Sequence, residues 1–245
     1  MVLPNEWGEV ESSKNETFKR LKDVLAMAEM DKTGRLRLPA ERKLAEQMKL
    51  QRSTVREQLA TLENLGFICR TRGSGTFLQM PKAEFVQSYF EIALQLGFIS
   101  VEALEGAREM LEREIVYNAA YKTTDDDVIK LEHWQSVMMD SNSSISDSLA
   151  ADYAFHRHLA YMTQNPVIIL IIQGLASVLR EVVHRRRVMV RRSAESMEQT
   201  NGSHQAIIEA LRNRDPEVAK KAMDMHFRVW DQQSKEKINW LPLDE

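Results

Sequence analysis

The chain has little of what secreted, fibrous or membrane proteins depend on. Among 245 residues there is one cysteine, Cys69, so no intrachain disulfide can form, which suits a reducing cytoplasm. Read at its simplest, Cys69 is a small apolar strand residue. Nine glycines and six prolines are too few for a collagenous or low-complexity chain. The N-terminus, with Asn5, Glu6 and Glu9, lacks the basic start and apolar run of a signal peptide. The longest apolar stretch, Val167 to Leu179, is interrupted by Gln173 and closed by Arg180. It falls short of the roughly 20 residues a bilayer requires, which points to a buried helix and away from a membrane.

Net charge is also small, at −3, but the charged residues are unevenly spread. From Arg35 to Arg72 there are nine Lys/Arg against four Asp/Glu, which leaves the rest of the chain at net −8. A basic module beside an acidic one is an electrostatic footprint of nucleic-acid binding at one end.

The hydrophobic period along that basic segment predicts a sequence of elements. Phe18, Leu21, Val24, Leu25 and Met27 fall at helical spacing over about 16–30, and Asp31 to Gly34 reads as a turn. Leu36 and Leu38 alternate with Arg35 and Arg37 as a short strand. Pro39 precedes a second helix bearing Leu44, Ala45 and Met48, and a break falls near Lys49 to Gln51. A third helix runs from about Ser53 to Asn64, with Val55, Leu59 and Leu62 inward and Gly66 as its stop. Phe67 to Cys69 and Thr76 to Leu78 form a hairpin around a basic, glycine-rich turn. Helix, strand, helix, turn, helix and hairpin make a winged helix-turn-helix.

From Ala83 onward the pattern is helical throughout, over about 83–96, 101–121, 125–139, 147–163, 167–192, 197–212 and 217–235. Breaks are expected at Gly97, Thr123, Ser141 to Ser144, Asn165-Pro166, Gly202 or its neighbours, and Asp215-Pro216. The expected fold class is mainly α: an N-terminal winged helix-turn-helix plus a C-terminal all-α helical bundle. The expected segments are 1–13 (flexible), 14–80 (DNA-binding), 81–83 (linker), 84–238 (ligand-sensing bundle) and 239–245 (tail).

Arg52, Ser53, Thr54 and Arg56 crowd the start of the third helix, the end that a helix-turn-helix aims at base edges in the major groove. Arginine can bond guanine bidentately, and Ser and Thr reach phosphates or bases. Arg42 would meet the backbone crossed by the second helix. Arg70 and Arg72 stand beside Gly73 and Gly75 at the wing tip.

A second constellation lies in the bundle. Asp152 and His156, four apart, share a helix face with Phe155, Leu159 and Met162. His204 and His226 each stand 11 residues from Asp215, where Asp caps and Pro opens the next helix, so an antiparallel hairpin brings them to one height. His226 sits on a stripe with Ala219, Ala222, Met223 and Trp230. One inward Asp and three inward His suit Zn, with Ni, Mn or Fe as alternatives; hydrogen-bonded core histidines are the simpler reading.

Leu38-Pro-Ala-Glu-Arg-Lys-Leu-Ala45, Gln51-Arg-Ser-Thr-Val-Arg56 and Gly73-Ser-Gly-Thr-Phe77 together resemble the GntR family of bacterial regulators. Gln51 stands where that family usually has Ser or Thr. The resemblance implies a homodimer on a palindromic double-stranded operator, with Arg42, Arg52, Ser53, Thr54, Arg56 and Gly73 as DNA contacts. The wing adds Arg72. The bundle resembles the FadR-type (FCD) domain in the subset keeping a metal-binding Asp and three His, which implies a small carboxylate or sugar-acid effector held near the metal. Arg108-Glu-Met-Leu-Glu112 fits that domain's pattern too, as an effector contact or as a salt bridge with Glu105 or Glu112. Arg180, His184, Arg187 and Arg191 recur at helical spacing as a mostly solvated face, and His133 and His158 fit no ligand geometry. The expectation is a cytoplasmic regulator, a repressor released by its effector, and not an enzyme. An architectural or activating DNA binder with a structural metal, and a metal-dependent enzyme, are the other readings.

Overall fold

The computed structural model describes residues 11–140, 142–190 and 193–235. Two compact units divide the chain between Phe85 and Val86.

In the first unit, α1 (Glu11–Ala26) is followed by β1 (Glu29–Met30), β2 (Leu36–Leu38), α2 (Glu41–Met48), α3 (Arg52–Asn64), β3 (Ile68–Thr71) and β4 (Gly75–Leu78). The strands form one antiparallel sheet in the order β1-β2-β4-β3. Helix α1 stops four residues before the sequence pattern suggests. The Asp31 carboxylate accepts from the Thr33 amide, the Thr33 hydroxyl and the Arg35 amide, and this tight turn recruits Glu29 and Met30 as a strand against Arg37 and Leu36. Lys49 adopts a left-handed conformation (φ 54°) that turns the chain from α2 into α3. Leu21, Val24, Leu44, Val55, Leu59, Leu62 and Ile68 form the unit's core.

The second unit is all helical. It contains most of α4 (Ala83–Gln95), then α5 (Val101–Ala120), α6 (Asp125–Met139), α7 (Ile145–Met162), α8 (Pro166–Val178), α9 (Arg180–Val190), α10 (Ala194–Arg212) and α11 (Pro216–Lys235). Short polar residues start these helices as their chemistry dictates: Ser100, Thr124 in a capping box with Asp127, Ser144, Asn165 before Pro166, and Ser193 each accept from a backbone amide of the first turn. The core joins Ile115, Leu131, Phe155, Leu159, Ile207, Ile208 and Met223. A smaller cluster joins Leu104, Leu175, Leu179 and Val183, with Phe90 and Leu94 of α4 against it.

Two expectations are corrected. The single helix expected over 167–192 is α8 and α9, broken at buried Leu179, whose ψ is 0°. Gly202 does not interrupt the chain; it lies inside α10, which starts at Ala194. Its cost of about 1 kcal/mol relative to Ala is outweighed by burial of Thr200, Ser203, His204, Ile207 and Ile208 around it.

Candidate DNA-reading surface and buried histidine centre

The first unit presents Arg52, Ser53 and Arg56 exposed on one face of α3, with Thr54 half-buried beside Val55; Arg42 on α2 and Arg72 and Gly73 in the β3–β4 turn are also exposed. Gly73 takes φ 76°, closing the turn in which the Ser74 amide bonds the Thr71 carbonyl. Gly75 also requires glycine for its positive φ of 130°, and a Cβ there would in addition lie 2.7 Å from Arg37 Nε.

The sequence alone gave no sign of how these arginines are held. Arg56 donates from Nε to Glu41 Oε2 at 2.7 Å. Arg70 directs its Nε to Glu63 at 3.1 Å, and its Nη1 lies 3.9 Å from the other Glu41 oxygen. Glu41 therefore ties the end of α2 to the reading helix and the wing. Among the described residues neither Nη group of the exposed Arg56 is engaged, and together they are the fork that guanine recognition can use.

In the second unit, α7 brings His156, α10 brings His204 and α11 brings His226 into one buried cluster whose ligating atoms lie within 4.8 Å of one another. The rings of His204 and His226 are 4.5 Å apart, so the equal spacing about Asp215 does place them at one height; Asp215 Oδ1 accepts from the Val218 amide, fixing that turn. Each ring is tethered through Nδ1. His156 bonds the Glu112 carboxylate, His204 donates to the Thr200 carbonyl at 3.0 Å, and His226 donates to Ser203 Oγ at 2.9 Å. Ser203 spends its own proton on the Thr200 carbonyl, so it must accept from His226. Protons on Nδ1 leave three Nε2 lone pairs for a ligand, the usual arrangement around metal-binding histidines. Burial lowers the pKa of His204 and drives that of His226 well below the usual imidazole range, with the neighbouring histidines reinforcing it, so both are neutral and ready to ligate.

Asp152 lies beside the cluster. Its Oδ1 is 2.9 Å from Arg187 Nη2 and 3.6 Å from His204 Nε2, and it is not within the histidines' ligating group. Burial alone would raise its pKa, but Arg187 and His204 outweigh that and hold it well below the carboxylate range. His204 Nε2 is buried without a hydrogen-bond partner. An orphaned buried nitrogen flanked by two further imidazoles and a carboxylate fits a first-row divalent cation, with zinc the borderline-soft match.

Arg108 and Glu112 on α5 are ion-paired at 2.5 Å. Burial would raise the Glu112 carboxyl, but Arg108 and His156 bring it down to about 2. A cavity of about 310 Å³ lies over this group, with Arg108, Asp152 and His156 in its lining. Arg187 is buried, not part of a solvated face. Arg180 is exposed at the cavity, and Arg191 lies outside the described residues. The side chain of Trp230 also lies outside them. His158 bonds Asp127 at 2.8 Å, away from the cluster. Among the described residues no helix is long and apolar enough to cross a membrane.

Comparison with known proteins gives two family matches: residues 33–78 match the model described as bacterial regulatory proteins, gntR family, and residues 104–229 match the FCD domain. A putative L-lactate dehydrogenase operon regulatory protein of Escherichia coli is 29% identical over 197 residues, covering 78% of this chain and 75% of that protein. The HTH-type transcriptional repressor NanR of Cronobacter sakazakii is 30% identical over 211 residues, covering 82% and 79%. The HTH-type transcriptional regulator LutR of Bacillus subtilis is 28% identical over 206 residues, covering 81% and 93%. The solved structure of Streptococcus agalactiae GntR shares the fold, with TM-score 0.62 at 24% identity over 89% of this chain and 98% of that one.

Proposed function

Because the chain belongs to the gntR family of bacterial regulatory proteins with an FCD domain as its second module, and so is a transcription regulator and not an enzyme, we propose that it is a repressor released from its operator by a small carboxylate or sugar acid. The observation that carries this reading is the tethering of three imidazoles through Nδ1 beneath a cavity that also reaches Arg108 and Asp152. His156, His204 and His226, with Asp152, are the ligands for a divalent cation, zinc first and Ni, Mn or Fe as alternatives. The cation, when bound, offers open coordination positions to a carboxylate oxygen.

Arg108 fixes the effector's acid group through the guanidinium edge that Glu112 leaves free. In the first unit Arg52, Ser53, Thr54 and Arg56 read or grip DNA from α3, Arg42 contacts the backbone, and Arg72 and Gly73 contact it from the wing. A homodimer presents two such heads to a palindromic operator, and the effector acts by binding one state better than the other. The segments proposed for these tasks are 14–80 for DNA and 84–238 for sensing, joined by 81–83.

The test begins with duplexes selected from a random-sequence pool by the metal-loaded protein. Release of the selected duplex is then titrated with 2-hydroxy acids, which one relative's name suggests trying first, and with sugar acids. Release that disappears on chelation supports the reading. Operator binding indifferent to every acid, with chelation only lowering the melting temperature, would leave an architectural binder with a structural metal.

A further inference from the structure

We infer that the effector is a dianion, with its second anionic group, carboxylate or phosphate, held at the cavity mouth by Arg157 and Arg180. This deepens the proposed function and rests on its assignment of the cavity. On α7, Asp152 and His156 form one row along the helix and Tyr153 and Arg157 the next, about 100° around it. The first row is buried, whereas Arg157 and, from α9, Arg180 are exposed, so the cavity runs from a buried floor to an arginine-lined mouth. The guanidinium carbons of Arg157 and Arg180 lie 5.7 and 5.9 Å from the Tyr153 ring centroid, gathering two cations around one aromatic side chain.

Their charge is unbalanced. Arg108, Arg113, Arg185, Arg187, Arg212 and Arg228 each have a carboxylate at ion-pair distance. Among the described residues Arg157 and Arg180 have none. The floor, by contrast, matches Arg108 with Glu112 and Arg187 with Asp152. A monoanion anchored at the floor leaves the mouth cations without a counter-ion. A small acid with a second anionic group satisfies both, and guanidinium groups suit either carboxylate or phosphate.

Calorimetric titration of the full-length, metal-loaded protein tests this with two pairs: succinate against its monoamide succinamate, and 3-phosphoglycerate against glycerate. At least one dianion should bind about tenfold or more tightly than its partner. That gap should shrink to under about threefold in the Arg157→Gln/Arg180→Gln variant, on the same affinity scale. A gap in the first pair alone identifies a carboxylate, and in the second alone a phosphate. Equal affinities within both pairs, or a gap that survives the double variant, overturn the inference while leaving the cavity assignment intact. If no acid of either charge binds, with or without metal, the cavity assignment falls as well. Thermal melts of the double variant check that it folds.

Discussion

Arg187 Nη2 and Asp152 Oδ1 are 2.9 Å apart, with both side chains almost wholly withdrawn from water. The arginine bonds the same carboxylate oxygen that lies 3.6 Å from His204 Nε2, so it already neutralises the charge that a cation at the histidines would also attract. Removing it with Arg187→Met should leave a buried carboxylate unpaired, at a cost of about 3–5 kcal/mol in chelated protein. Restoring the cation should recover much of that loss. Denaturant titrations with and without chelator read both values; an identical loss in the two conditions would separate Asp152 from the ion.

Glu112 gives a pH dependence whose sign is fixed. Its carboxyl sits at about 2 in the folded chain, below its ordinary 4.5. Stability from that depression is fully present above the ordinary value and is lost as the pH falls through the folded one. Glu112→Gln in chelated protein should therefore cost about 3 kcal/mol at pH 7. The difference from the parent should shrink steadily below pH 4.5. Unfolding free energies across that range measure it.

Arg56→Ala should lose about 1–3 kcal/mol of discrimination at one base pair of a selected duplex. Arg42→Ala, a backbone contact, should weaken all duplexes alike and lower the salt slope by about one. Glu41→Ala removes the contact that positions the Arg56 fork and should fall on the Arg56 side of this comparison. Fluorescence anisotropy at several salt concentrations separates the two patterns.

Gly174 admits no side chain: a Cβ there would stand 2.5 Å from Val86 Cγ1. Gly174→Ala should destabilise the helical unit by about 1–3 kcal/mol through overpacking between α8 and α4. Val86→Gly in the same chain, which removes both Cγ1 and the Val86 Cβ that would stand 2.7 Å away, should relieve most of it. A double-mutant cycle by thermal melting would show the coupling, and additive effects would rule out the contact as its cause.

The legibility of the sequence varied with the reach of the interaction. His204 and His226 could be matched because Asp215-Pro216 fixes the register of a local hairpin. The winged helix-turn-helix could be read because its turns carry their own chemistry at Pro39, Gly66 and Gly73. Glu112 as the tether of His156 could not, since 44 residues separate them. Arg187 could not either. On one long helix it shared a stripe with Arg180 and His184, and only the break at Leu179 sets which of these turns inward. The early end of α1 was hidden for a similar reason: a helical period continues through Met30, but the Asp31 turn and pairing with β2 prevail over it.

The glutamate pinning of Arg56 at Nε has a consequence for the thermodynamics of encounter. A long side chain on a protein surface ordinarily loses its rotational freedom when it meets its target, and that loss subtracts from affinity. Arg56 has surrendered part of this freedom already, when α2 and α3 came together. DNA thus meets a partner whose geometry was settled during folding, and the entropy of arranging it is charged to the stability of the head, not to the grip on the operator.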